Sequence, residues 1–188
     1  MQYGAIVRSK PGNKVSGDTF VYCEERQHTL VALIDGLGTG QEAHAAAQRA
    51  RAVVRRHCDL ALTDLLIRCH ESLRGTRGAV MMLMRVEHDR DTVSFAGVGN
   101  VGVRAFSEAP IAPLSRQGIV GYRLSRVRET SYPYAAGDVF ILYSDGISAS
   151  FAVDETWLRD PRTDLQQVAE QIANDFGMDD DRTVVVVR

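Results

Sequence analysis

Leu30-Val31-Ala32-Leu33-Ile34-Asp35-Gly36-Leu37-Gly38-Thr39-Gly40 decides how this chain is read. Five apolar residues predict a buried strand, an aspartate closes it, and alternating glycines then open a loop before an alanine-rich segment. An acid placed at the end of a buried strand is a candidate for chemistry rather than packing. Three further aspartate motifs sit at the edges of apolar runs in the same way: Gly17-Asp18 before Phe20 to Tyr22, Ser144-Asp145-Gly146 after Val139 to Tyr143, and Asp180-Asp181-Arg182-Thr183 before Val184 to Val187. A sheet that brought these ends together would cluster carboxylates. Such groups repel and raise one another's pKa unless cations intervene, and carboxylate with carbonyl and water is the ligand set of hard divalent ions.

Working outward, Tyr3 to Val7, Thr19 to Cys23 and Thr29 to Ile34 read as three short strands punctuated by Pro11-Gly12-Asn13 and Glu24-Glu25-Arg26. Gln41 to His57 carries apolar residues at Ala43, Ala46, Ala47, Ala50, Val53 and Val54, a helical rhythm with Thr39 as the expected N-cap. Thr63 is expected to cap a second helix that ends at Gly75. Gly78 to Glu87, Thr92 to Val98 and Val101 to Phe106 read as a meander. Ser107 to Gly121, with two prolines, reads as a surface loop. Strands are expected at Arg123 to Tyr132, Val139 to Tyr143 and Thr183 to Val187, with a helix from Asp164 to Phe176 capped by Thr163. Two groups of mostly antiparallel strands, each carrying helices on its outer face, predict an α+β sandwich built as one domain over residues 1–188.

Composition narrows the function. The 188 residues are 45% hydrophobic and 24% charged, with a net charge of −2, so nothing favours a polyanionic partner and nucleic acid is disfavoured. No apolar run approaches the roughly eighteen residues needed to span a bilayer, and no secretory signal is visible, so a cytoplasmic protein with no membrane partner is expected. Cys23, Cys58 and Cys69 contain no C-x-x-C, and no disulfide is expected. His57-Cys58 and Cys69-His70 match no familiar zinc spacing and read as packing and helix-end residues. The glycine loop lacks the spacing of a dinucleotide fingerprint, and no G-K-[ST] follows it. Ser148 lacks the closing glycine of a nucleophile elbow. Gly137-Asp138 reads as a turn.

With Ser16-Gly17-Asp18-Thr19-Phe20, Asp35-Gly36-Leu37-Gly38-Thr39-Gly40, Ser144-Asp145-Gly146 and Asp180-Asp181-Arg182-Thr183 in this order, the chain resembles the PPM-type (protein phosphatase 2C-like) serine/threonine phosphatases over nearly its whole length. Its small size, its Gly-Leu-Gly variant and Val98-Gly99-Asn100-Val101 bring it closest to the stressosome branch of that family, with the sporulation branch more distant. The resemblance implies a four-layer αββα sandwich with a dinuclear Mn²⁺ or Mg²⁺ site between the sheets. Asp35 would bridge the ions, Asp18 and the Gly36 carbonyl would serve one, and Asp145 and Asp180 the other. These four aspartates form the candidate catalytic set. The implied reaction is direct hydrolysis of phosphoserine or phosphothreonine by metal-activated water, without a phosphoenzyme, and the implied partner is a phosphorylated STAS-domain protein of the stressosome scaffold or anti-sigma antagonist kind.

Two positions depart from the family pattern. Where many members carry an aspartate that helps to hold a third metal, this chain has Asn100, so two ions are expected. Asp181 stands where asparagine is usual, so Asp179, Asp180 and Asp181 compete, and Asp180 is preferred because it lies three residues before Thr183. Arg8 and Lys14, upstream of Asp18, are possible phosphate contacts left outside the set. The competing reading is a regulatory binding module that keeps the fold without the activity.

Overall fold

The computed structural model describes residues 1–124 and 126–188. Two antiparallel sheets carry the chain. The first joins β1 (Tyr3–Arg8), β10 (Arg182–Val187), β9 (Val139–Tyr143) and β6 (Gly102–Phe106), in that order. The second joins β2 (Asp18–Glu24), β3 (His28–Gly36), β4 (Ala79–Glu87), β5 (Thr92–Val98) and β7 (Ser115–Arg116), with β8 (Thr130–Pro133) also pairing β5. Among the described residues only the short β5 and β7 pair is parallel.

Side-chain alternation builds the layers. In β3, Leu30, Ala32 and Ile34 point toward α1 (Gln41–Arg56) and α2 (Leu62–Leu73), where they meet Ala46, Ala47, Ala50, Leu65, Leu66 and Cys69. The intervening Val31 and Leu33 point to the other sheet and pack with Met82, Met84, Phe95, Phe140, Leu142, Val185 and Val187. β10 repeats the device, sending Val185 and Val187 inward and Val184 and Val186 outward against Val168 and Ile172 of α4 (Leu165–Asp175). A central strand buried on both faces reads as a continuous apolar run, which is how β3 and β10 appear in the sequence. The result is the α+β, αββα four-layer arrangement expected from the sequence.

Differences from expectation lie in strand pairing, at element ends and in the loops: the expected meander stops at β5, and β6 crosses to the first sheet to pair β9. Gly40, not Thr39, occupies the N-cap of α1, at φ 78°, and no side chain caps that helix. Ala61 replaces Thr63 at the start of α2, and Asp164 replaces Thr163 at the start of α4, where its carboxylate accepts from the Gln166 N–H at 2.9 Å. A shorter helix, α3 (Glu155–Arg159), was not expected; Asp154 caps it by accepting the backbone N–H groups of Thr156 and Trp157. The strand expected from Arg123 to Tyr132 is confined to Thr130–Pro133, with Arg123 bridging Ile119, because Gly118 and Gly121 turn the chain back on itself; Ser125 lies outside the described residues. The expected Ser107 to Gly121 loop contains β7. The three cysteines are free thiols.

Candidate metal centre

The topology brings the four acidic motifs to one end of the two sheets. β2 begins at Asp18 and β3 runs antiparallel to it and ends at Asp35 and Gly36, so the two aspartates face each other across the ladder. β9 ends at Tyr143 beside Val184 of β10, so Ser144-Asp145 leaves the other sheet where Asp180-Asp181 enters it. Ser144 closes this junction: its N–H donates to the Thr183 carbonyl at 3.1 Å, and its hydroxyl accepts the Thr183 N–H at 2.8 Å. The cleft between these ends has a volume of about 520 Å³ and is lined by Asp18, Asp35, Asp145, Asp180 and Asp181, with Leu37, Val80 and Ile119 supplying apolar wall.

Three of the four aspartate motifs contain a glycine, and at each a neighbouring segment packs too close for a side chain. A methyl on Gly36 would run into the carbonyl oxygen of Ala43 in α1, and one on Gly146 into the carbonyl oxygen of Asp181. One on Gly17 would stand 3.0 Å from the Asp181 carboxylate. Close approach of α1 is why residue 36 is glycine, since Gly36 is absent from the positive-φ glycines. Gly36 is buried and donates its N–H to the Gly17 carbonyl at 3.0 Å; among the described residues it does not itself line the cleft.

The three consecutive aspartates separate by what they touch. Asp181 is buried, and its carboxylate accepts the backbone N–H of Lys10 at 2.8 Å and of Gly17 at 2.9 Å, tying the loop before β2 to the start of β10. Asp180 also lines the cleft and accepts the Asp181 N–H at 2.9 Å. Asp179 is exposed and does not line the cleft. Arg8 is turned away from the cleft toward Asn174, to whose side-chain oxygen it donates.

The electrostatics are those of acids held without a counter-charge. Burial raises the Asp18 carboxyl to about 7; the hydroxyls of Ser144 and Thr183 oppose this, and Asp181 and Asp145 add to it. Asp35 is pushed to about 9, first by burial and then by Asp18, Asp145 and Asp180. Asp18 Oδ2 is buried, and among the described residues nothing hydrogen-bonds to it. Among the described residues no Lys or Arg side chain lines the cleft. An unpartnered carboxylate oxygen in an all-oxygen cluster of excess negative charge fits a hard divalent cation. The carboxylates ring the cleft rather than close into a cage: among the described residues no three His, Cys, Asp or Glu side chains form a ready-made metal site. That suits ions that draw the rest of their shell from backbone oxygen and water.

Asn100 is the contact that sequence reasoning missed. Its side-chain N–H donates to Asp145 Oδ2 at 2.6 Å, and both residues line the cleft. The Gly99-Asn100 turn signalled its position but not its partner, which comes from 45 residues further along the chain.

Comparison with known proteins agrees with this architecture. The model of the Stage II sporulation protein E (SpoIIE) family matches residues 25–188. The chain belongs to this family of PPM-type phosphatases. It is 23% identical over 174 residues to the phosphoserine phosphatase RsbX of Bacillus subtilis (strain 168), covering 90% of this chain and 83% of that one. A solved chain from work on the bacterial stressosome, a modular system adapted to control secondary messenger signalling, is 33% identical, with a TM-score of 0.93 and coverage of 99% of this chain and 98% of that one. The crystal structure of RsbX in complex with magnesium superimposes with a TM-score of 0.83 at 20% identity, covering 97% of this chain and 92% of the other. As a PPM-type phosphatase it is an enzyme of the protein-serine/threonine phosphatase class.

Proposed function

We propose that this chain is one catalytic unit, a cytoplasmic phosphatase that uses two divalent ions, Mn²⁺ or Mg²⁺, to hydrolyse phosphoserine or phosphothreonine on a STAS-domain protein of the stressosome or anti-sigma antagonist kind. The observation that carries the chemistry is the uncompensated carboxylate cluster, above all Asp18, which stands opposite Asp35 in the ladder and has an unpartnered Oδ2 among the described residues. The choice of substrate is supported by the likeness to RsbX and to the stressosome-associated chain. No helix among the described residues is long and apolar enough to cross a membrane.

Asp18, Asp35 and the Gly36 carbonyl would hold one ion, and Asp35, Asp145 and Asp180 the other. When bound, two such ions supply an activated water and offset charge on the phosphoryl oxygens. The chain's own residues do the remaining work. Asn100 orients Asp145, Asp181 fixes the loop that presents Asp18, and Leu37, Val80 and Ile119 narrow the cleft around a phosphoryl group.

Turnover of p-nitrophenyl phosphate with Mn²⁺, with Mg²⁺ and with EDTA tests the reading. Activity that requires a divalent ion and disappears in chelator is the expected result. Full activity in EDTA would refute the metal mechanism, and no activity in any buffer, with the fold intact, would favour a binding module.

A further inference from the structure

The wall of the cleft formed by Gln117, Gly118 and Ile119 has a second face. The same three residues line an adjoining groove of about 490 Å³ whose other side is Tyr122 and Arg123. This shelf is fixed to the core. Ile119 and Arg123 exchange backbone hydrogen bonds at 2.8 and 2.9 Å, Val120 and Ala79 do the same, and Gly121 donates its N–H to His70 Nδ1 at 3.0 Å. Arg116 accepts the Gly99 N–H at 2.8 Å through its carbonyl, which places it next to the turn that carries Asn100.

The shelf combines exposed apolar and basic side chains. Tyr122 is 81% exposed and Leu114 77%, the largest values among the exposed large hydrophobic residues. Arg123 lines the groove and Arg116 lies just before it in the chain; Arg126 and Arg128 follow in sequence, ahead of Glu129, in a chain whose net charge is −2. All four are exposed, and among the described residues none is in a recorded ion pair. Exposed tyrosine and arginine on a rigid frame are the residue types that anchor protein interfaces.

We propose that this shelf is the docking surface for the protein substrate, and that it receives an acidic face of the folded phosphoprotein next to the phosphorylated residue. The proposal rests on the phosphatase reading for the identity of its occupant. The shared wall means that a phosphoserine lowered into the cleft leaves its neighbours over the groove, where arginine meets acid and Tyr122 meets side-chain stems. A nucleic acid is disfavoured because its phosphate backbone would have to run on from the basic shelf across the carboxylates of the cleft. Complementary charge of this kind speeds encounter and selects partners, and it weakens with salt.

The test compares two phosphoserine peptides that differ only in flanking residues, glutamate in one and glutamine in the other. They are offered to the wild-type chain and to an Arg116→Glu/Arg123→Glu variant with Mn²⁺ at low and high ionic strength. Wild type should favour the glutamate peptide by about fivefold or more in kcat/KM at low salt, mainly through KM, with the preference lost at high salt and abolished or reversed in the variant. Binding of the unphosphorylated peptides, followed by fluorescence anisotropy, should show the same order. It does so without hydrolysis, so a failure of the phosphatase reading is separable from a failure of the shelf. Unchanged p-nitrophenyl phosphate turnover in the variant would show that the cleft is intact. Equal treatment of the two peptides by wild type, or a preference that survives charge reversal, overturns the proposal. So does tighter binding of a single-stranded oligonucleotide of the same charge as the glutamate peptide.

Discussion

Asp18 and Asp35 stand directly opposite each other in the β2–β3 ladder, two carboxylates sharing one rung of a buried sheet. Like charges directly opposite destabilise a strand pair, so this rung costs the fold stability unless protons or cations occupy it. That relationship sets both the pH behaviour of the protein and its response to metal.

The free acids titrate near 3.8 and the folded ones near 7 for Asp18 and 9 for Asp35. Because the folded values are raised, the protonated forms favour the native state. Their contribution is complete below about pH 4 and is lost as pH rises through about 7 and then about 9. Metal-free protein should therefore unfold at lower denaturant concentration at pH 8 than at pH 5, other groups being equal. Divalent ions need the ionised carboxylates, so their stabilising effect should be larger at pH 8. Urea melts at both pH values, in EDTA and in Mn²⁺, check this; an EDTA melt that gains stability toward pH 8 would contradict it.

Replacing Asp35 with Asn removes one of the facing charges and the carboxylate proposed to touch both ions. Turnover should fall by about a hundredfold or more, while stability in EDTA at pH 8 holds or rises. Steady-state kinetics and thermal melts on the same preparation separate the two effects. A variant with wild-type turnover would refute the bridging role.

Asp180 and Asp181 are adjacent in sequence and should behave oppositely. Asp181→Ala leaves the Lys10 and Gly17 N–H groups without their acceptor and should cost roughly 2–4 kcal/mol of stability. Asp180→Ala should abolish metal-dependent turnover with little loss of stability. Denaturant titration beside activity measurement distinguishes them, and equal stability losses would show that the division of roles is wrong.

Asn100→Asp converts the 2.6 Å hydrogen bond to Asp145 into a contact between two acids. In EDTA at pH 8 this variant should be less stable than wild type, and saturating Mn²⁺ should restore it; calorimetric titration should show tighter or additional ion binding. Asn100→Ala should instead weaken metal affinity by about tenfold, through loss of the group that orients Asp145. Wild-type metal affinity in both variants would remove Asn100 from the site.

The strands and long helices were legible because they are written locally. The continuous apolar runs of β3 and β10 and the alanine rhythm of α1 each lie within one segment, and their apolar faces leave little choice of packing. The acidic motifs were legible for the same reason, as carboxylates stranded at the ends of buried runs. The caps were less so: Gly40 and Ala61 took positions assigned to threonines with no side-chain cap, and Asp164 took the third by accepting the Gln166 N–H, one residue from the expected Thr163. What the sequence by itself determined, then, was the order of the layers and the four places where charge meets the end of a strand. Only the tertiary structure decided which neighbour each acid has. The partners of Asp181 come from 164 and 171 residues away, and that of Asp145 from 45. Such contacts depend on how the two sheets register against each other, and no local pattern carries that register.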